Sequence, residues 1–136
     1  MLIYADGSAL SRYLAVDIES FEWLRWAQEH EDSIVTSPLG ISELRRTADR
    51  FGPDTRRVAG NLAARLTVVR ITDDALTPAS MTTSVLSPFE AIHLGVAVTD
   101  DDVDTIATYE RRLAQLARMY GLKVVTPGRD DGWWLD

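Results

Sequence analysis

No cysteine occurs in the chain, which removes disulfides, thiolate metal sites and thiol nucleophiles together. Histidine is nearly as scarce. His30 and His93 are too few for a histidine-rich metal centre and a poor basis for a Ser-His-Asp triad. No apolar run approaches the roughly 18 to 20 residues that span a bilayer. The N-terminus lacks a basic segment and Asp6 interrupts the first apolar run, so no secretory signal is expected. Internal repeats, low-complexity tracts and linkers are also missing. The 136 residues are therefore expected to form one domain, 1–136, large enough to bury about two thirds of its unfolded surface. These absences point to a soluble cytoplasmic protein without a membrane partner.

What is present is acidic overall, with a formal net charge of −7, but unevenly so. Residues 1–43 carry two arginines against eight acids, and residues 71–136 five basic residues against eleven acids. Between them, residues 44–70 hold seven arginines and only two aspartates. A basic stretch between acidic ones can attract phosphates locally in an acidic molecule. The same arginines also suit an ordinary helical surface.

The stretch Leu2-Ile3-Tyr4-Ala5-Asp6-Gly7-Ser8-Ala9-Leu10 sets the frame. An unbroken apolar run is the pattern of a strand buried on both faces of a parallel sheet. An ionised carboxylate is costly to bury unpaired, so Asp6 is expected where that strand emerges at its carboxyl end. Ser8 is the expected cap of a short helix through Ala9, Leu10 and Leu14. Two roles are open to Asp6, helix cap and functional acid.

Farther on, Asp17 predicts a capped helix with an apolar stripe of Ile18, Phe21, Leu24, Trp26 and Ala27. Ser33 to Thr36 reads as a strand, and Ser37-Pro38 opens a helix carrying Leu39, Ile41, Leu44 and Ala48. Asp54 is the expected cap of the next helix, which runs to about Leu66. Thr67 to Ile71 reads as a third strand, and a helical segment follows from Asp73. Ser87-Pro88 repeats the cap-and-proline opening. Thr105 to Thr108 and Leu122 to Thr126 complete the strands, with a helix through Leu113, Leu116 and Ala117 between them. The tail Trp133-Trp134-Leu135 is expected to pack on the domain or on a partner. Strands separated by helices imply parallel crossovers, hence an α/β fold: a three-layer α/β/α sandwich on a mainly parallel five-stranded sheet.

In that arrangement four carboxylates fall at strand ends or helix starts: Asp6, Glu43, Glu90 and Glu110. Parallel strands bring such positions to one edge of the sheet, where ligands of open α/β folds bind. Four acids there repel one another, and a divalent cation relieves the repulsion. Oxygen ligands favour magnesium or manganese over zinc. Taken singly, each acid has a plainer role, as a helix-end charge or an ion-pair partner of a neighbouring arginine.

The ordered blocks Asp6-Gly7-Ser8-Ala9-Leu10, Ile41-Ser42-Glu43-Leu44-Arg45-Arg46, Glu90-Ala91-Ile92-His93-Leu94, Thr108-Tyr109-Glu110-Arg111-Arg112-Leu113 and Gly121-Leu122-Lys123-Val124-Val125-Thr126-Pro127-Gly128 span nearly the whole chain. In them it resembles a PIN-domain ribonuclease of the VapC toxin type, from bacterial toxin–antitoxin pairs. The resemblance implies a Mg2+- or Mn2+-dependent endoribonuclease, blocked by a cognate VapB-type antitoxin and forming a homodimer, through the helices of residues 17–66. It places Asp6 and Glu43 as metal ligands and Glu90 and Glu110 as further members of the site. The family usually has aspartates at these last two positions, and each glutamate is one methylene longer. Ser8 and Thr108 are expected to fix the carboxylates by hydrogen bonds. The antitoxin is expected to insert a basic side chain near the acids.

Arg45, Arg46 and Arg112 are candidates for RNA phosphate contacts, with ion pairing to helix neighbours as the alternative. His93 shares a helix face with Glu90, but the E-x-x-H pair of di-iron bundles does not recur, so a packed, hydrogen-bonded histidine is expected. The Asp100, Asp102, Asp104 spacing begins like an EF-hand and fails at Thr105 and Arg111, leaving a solvated loop. Two other functions stand against the ribonuclease. One is a catalytically impaired PIN-like module that binds RNA or a protein without cleavage. The other is a phosphoacceptor signalling domain, disfavoured because Asp6 stands without a paired acid and Lys123 begins its strand instead of ending it.

Overall fold

The computed structural model describes residues 1–14 and 17–135. Its strands are β1 (Leu2–Ala5), β2 (Ile34–Thr36), β3 (Thr67–Val68), β4 (Val103–Ala107) and β5 (Lys123–Val125). They form one parallel sheet in the order β3-β2-β1-β4-β5, with the first strand of the chain at its centre. The helices are α1 (Gly7–Leu10), α2 (Ile18–Glu29), α3 (Pro38–Asp49), α4 (Pro53–Arg65), α5 (Asp73–Met81), α6 (Pro88–Thr99) and α7 (Arg111–Met119). Among the described residues none is long and apolar enough to cross a membrane.

Successive strand residues face opposite sides of a sheet, and here that alternation separates two cores. Tyr4, Val35 and Ile106 point to one side, where Ala75 and Ala79 of α5, Leu94 of α6 and Leu113 of α7 cover them. Ala5, Ile34 and Ala107 point to the other, against Leu10, Trp23 of α2, Leu44 of α3 and Leu62 of α4. The result is the expected three-layer α/β/α sandwich, with a sheet that is parallel throughout.

Local signals position several elements. Asp17 Oδ1 accepts from Ser20 N at 2.7 Å, Ser37 caps α3 through Gly40 N, and Ser87 with Glu90 forms a reciprocal capping box at α6. Gly121, at φ 89°, ends α7 in a conformation that side chains disfavour and turns the chain into β5. The C-terminal turn folds back on α7, where Gln115 Nε2 donates to Trp134 O at 2.6 Å.

Four expectations are corrected. Asp6, not Ser8, caps α1, because it stands directly before the helix, where its Oδ1 accepts from Ala9 N, while Ser8 already lies within the first turn. Asp54 lies in the first turn of α4, whose cap is Gly52 at φ 99°. The third strand is two residues long, an exposed edge too brief to template further pairing. The stripe on α2 is rotated: Ser20, Trp23 and Ala27 are buried, while Ile18 and Phe21 are 79% and 67% exposed. Trp23 takes the inward position because Tyr13, Trp26 and Tyr109 form an aromatic nest that accepts its ring.

Helix α6 packs directly on α5 at Gly95, where a Cβ would overlap the Ala75 carbonyl oxygen. That atom belongs to backbone and cannot step aside. Gly95→Ala is therefore expected to destabilise the fold by about 1–3 kcal/mol, read as a lower urea midpoint with an unchanged slope.

Candidate active site

The carboxyl end of the sheet carries a cleft of about 410 Å3, lined by Asp6, Glu43, Glu90 and Glu110 together with His93 and Ser8. The four acids come from four places in the chain. Asp6 follows β1, Glu43 lies in the second turn of α3, Glu90 in the first turn of α6, and Glu110 just before α7.

Asp6 is 2% exposed, yet both oxygens are satisfied. Oδ1 accepts from Ser8 Oγ at 2.7 Å and Ala9 N at 2.9 Å, and Oδ2 accepts from Thr108 Oγ1 at 2.6 Å. Burial nevertheless pushes its carboxyl above the ordinary aspartate value, outweighing the opposing influence of His93 and these donors. Asp6 is thus a helix cap whose carboxylate also lines the cleft. Ser8 and Thr108 reach it as anticipated, and both have further partners. Ser8 Oγ accepts from Tyr109 N at 2.8 Å, and Thr108 Oγ1 accepts from Glu110 N at 3.0 Å.

Glu43 is turned onto His93, bonding Nε2 through Oε1. His93 takes the place of the neighbouring arginine that local sequence offers as its ion-pair partner. On its other side, a Cβ at Gly7 would stand 2.5 Å from the same oxygen, so the carboxylate lies against bare glycine backbone. Glu90 Oε1 accepts from Ser87 N at 2.9 Å, which holds the glutamate at the rim as part of its helix cap. Glu110 is at the surface, and its carboxyl is raised first by desolvation and then by the charges of Asp6 and Glu90. Two guanidiniums oppose this, Arg12 and Arg129, which grip Glu19 and lie over the Tyr109 ring.

The arginines singled out from the sequence are elsewhere. Arg45 and Arg46 are exposed on α3 and Arg112 is exposed on α7, its Nη1 donating to Val85 O at 3.4 Å; none lines the cleft. Sequence reasoning missed Tyr4, Ser37 and the Arg12–Glu19–Arg129 clasp. Tyr4 bonds Ser37 and His93, and Arg129 bonds Glu19, across long stretches of chain, so no local spacing announces these contacts.

No family model matches the chain. "Ribonuclease VapC35", found under that name in two strains of Mycobacterium tuberculosis, is 30% identical over 135 residues, covering 94% of this chain and 98% of the relative. The chain belongs to the VapC family of PIN-domain ribonucleases. In this VapC-family chain the aligned length takes in all three layers, so the family assignment extends beyond the acid cleft.

The donor set suits a divalent cation in its chemistry, since four carboxylates line one cleft and supply hard oxygens. Among the described residues no three acidic or histidine side chains converge on one point. Glu43 is engaged by His93 and Glu90 by its own cap.

Proposed function

We propose that the protein is a Mg2+- or Mn2+-dependent endoribonuclease that acts as the toxin of a toxin–antitoxin pair, with RNA as substrate and a VapB-type antitoxin as its inhibitor. The observation that carries the reading is the meeting of Asp6, Glu43, Glu90 and Glu110 in one cleft at the carboxyl end of a parallel sheet. A homodimer in the cytoplasm and a single domain over 1–136 belong to the same reading.

Asp6 and Glu43 would hold the ion, with Glu90 and Glu110 joining directly, through water, or by positioning the nucleophile. When bound, such an ion orients a water, lowers its pKa and stabilises charge on a phosphoryl oxygen. The chain itself supplies the fixed frame. Ser8, Ala9 N and Thr108 aim three donors at Asp6, which holds its carboxylate without further reorganisation. The capping box fixes Glu90 at the wall of the cleft, from which it would join the ion through water. Arg12 and Arg129, close enough to act on Glu110, offer positive charge at one rim to a nucleic-acid strand.

The test is cleavage of RNA by the purified chain, freed of any partner, with and without Mg2+. Fragments are expected only with the ion, and EDTA should abolish them. RNA retained on the protein without fragments at any Mg2+ or Mn2+ concentration would instead establish a binding module.

A further inference from the structure

The acid cleft contains one imidazole, and charge balance among the carboxylates does not account for how it is held. His93 is 2% exposed and has a partner at each ring nitrogen. Nε2 meets Glu43 Oε1, and Nδ1 lies 2.7 Å from the Tyr4 hydroxyl. An ionised carboxylate only accepts, so the proton between Glu43 and His93 belongs to Nε2. Tyr4 Oη donates in turn to Ser37 Oγ at 2.8 Å, and Ser37 Oγ accepts from Gly40 N at 3.4 Å as the cap of α3. The chain of contacts therefore begins on α3 at Glu43, crosses α6 and β1, and returns to the first turn of α3.

This circuit matters because of what Glu43 is. A glutamate has one more rotatable bond than an aspartate and loses more freedom when fixed. Among the described residues Glu43 bonds His93 through Oε1, and its carboxylate fills the space that the missing side chain of Gly7 leaves. Burial raises the Tyr4 hydroxyl above the ordinary phenol value, which keeps it a neutral donor. With its Nε2 proton directed at Glu43, His93 does not offer that nitrogen to an ion.

We propose that His93 is a positioning residue that aims the Glu43 carboxylate into the cleft, with Tyr4 and Ser37 fixing the orientation of its ring. The inference rests on the reading of Glu43 as an ion ligand, and it adds a residue that acts through Glu43 without touching RNA. Losses at supporting partners of ligands of this kind amount to about 10- to 100-fold in metal affinity.

The experiment compares wild type, Tyr4→Phe, His93→Gln, His93→Leu and Glu43→Gln by Mn2+ binding in electron paramagnetic resonance, and by 15N shifts of the His93 ring in the metal-free protein. Wild type should show a protonated, hydrogen-bonded Nε2 whose signal moves in Glu43→Gln. His93→Leu should weaken Mn2+ binding by about 10- to 100-fold. His93→Gln, whose amide can still donate to Glu43, should recover part of it, and Tyr4→Phe should fall between. If His93→Leu does not fold, Tyr4→Phe decides, because it removes a single oxygen. Wild-type affinity in His93→Leu overturns the proposal, or wild-type affinity in Tyr4→Phe where His93→Leu does not fold, as does an Nε2 signal that Glu43→Gln leaves unmoved. Failure of the wild type to bind Mn2+ overturns the ion reading alone, and the ring shifts still decide whether His93 holds Glu43.

Discussion

Asp6→Asn is expected to reduce RNA cleavage by at least about 100-fold while making the metal-free protein more stable at neutral pH. The first half follows from the role proposed for Asp6. If groups that merely support a ligand are worth up to about 100-fold, loss of the carboxylate itself costs no less. The second half follows from its surroundings. Asparagine keeps a carbonyl oxygen for Ser8 and Ala9 N, and its amide can donate to Thr108 Oγ1. The Thr108 hydroxyl can then turn toward Ser8 Oγ, 3.4 Å away. No donor is orphaned, and a buried charge has been removed.

The pH dependence fixes the sign. Burial raises the folded-state value of Asp6 above 3.8, so the folded chain holds this proton more tightly than the unfolded chain does. Its ionisation therefore costs stability as pH rises through that window, and the cost is fully present above the folded value. Urea unfolding of metal-free protein should show Asp6→Asn ahead of wild type at pH 7, with the advantage shrinking as pH falls toward 4. A variant that is inactive and also less stable at pH 7 would mean that the substitution damages the fold, and cleavage loss could then not be assigned to the acid.

For stability the largest single loss is expected at Trp23. Truncation to alanine removes a fully buried indole from between Tyr13, Trp26 and Tyr109, and such changes cost about 3–5 kcal/mol. That is a large share of the roughly 5–15 kcal/mol that holds a domain together. Trp23→Phe makes the informative comparison. It keeps an aromatic ring in the nest and removes Nε1, a buried donor with no partner among the described residues. Its loss should be well under half that of alanine. Chemical unfolding at low temperature measures both, and similar losses for the two variants would show that ring size matters more than the filled nest.

The sequence made some of this legible and hid the rest for identifiable reasons. Ser37-Pro38 and Ser87-Pro88 marked two helix starts because capping is settled within one turn of chain. The apolar runs marked the strands because residues covered on both faces leave little room for polar ones. Through those two signals the four acids could be placed at one edge before any geometry was known. Rotation of α2 was not legible, since Ile18, Phe21 and Leu24 make as good a stripe as Ser20, Trp23 and Ala27 until the aromatic nest is known. The engagement of Glu43 with His93 was equally hidden. The two are fifty positions apart, and only the packing of α3 against α6 brings them together.

The central place of β1 has a consequence for how the protein is made. The strand that leaves the ribosome first pairs at Ile3 with Ile34 on one side and with Thr105 on the other. One partner is available early; the other arrives only after most of the chain has been synthesised. A partly made chain therefore cannot close its sheet, and Asp6 waits beside an empty flank without Thr108 or Glu110. Pairings this remote in sequence form slowly and late. During synthesis the acid cleft is therefore completed only after β4 and Glu110 have followed β1 out of the ribosome.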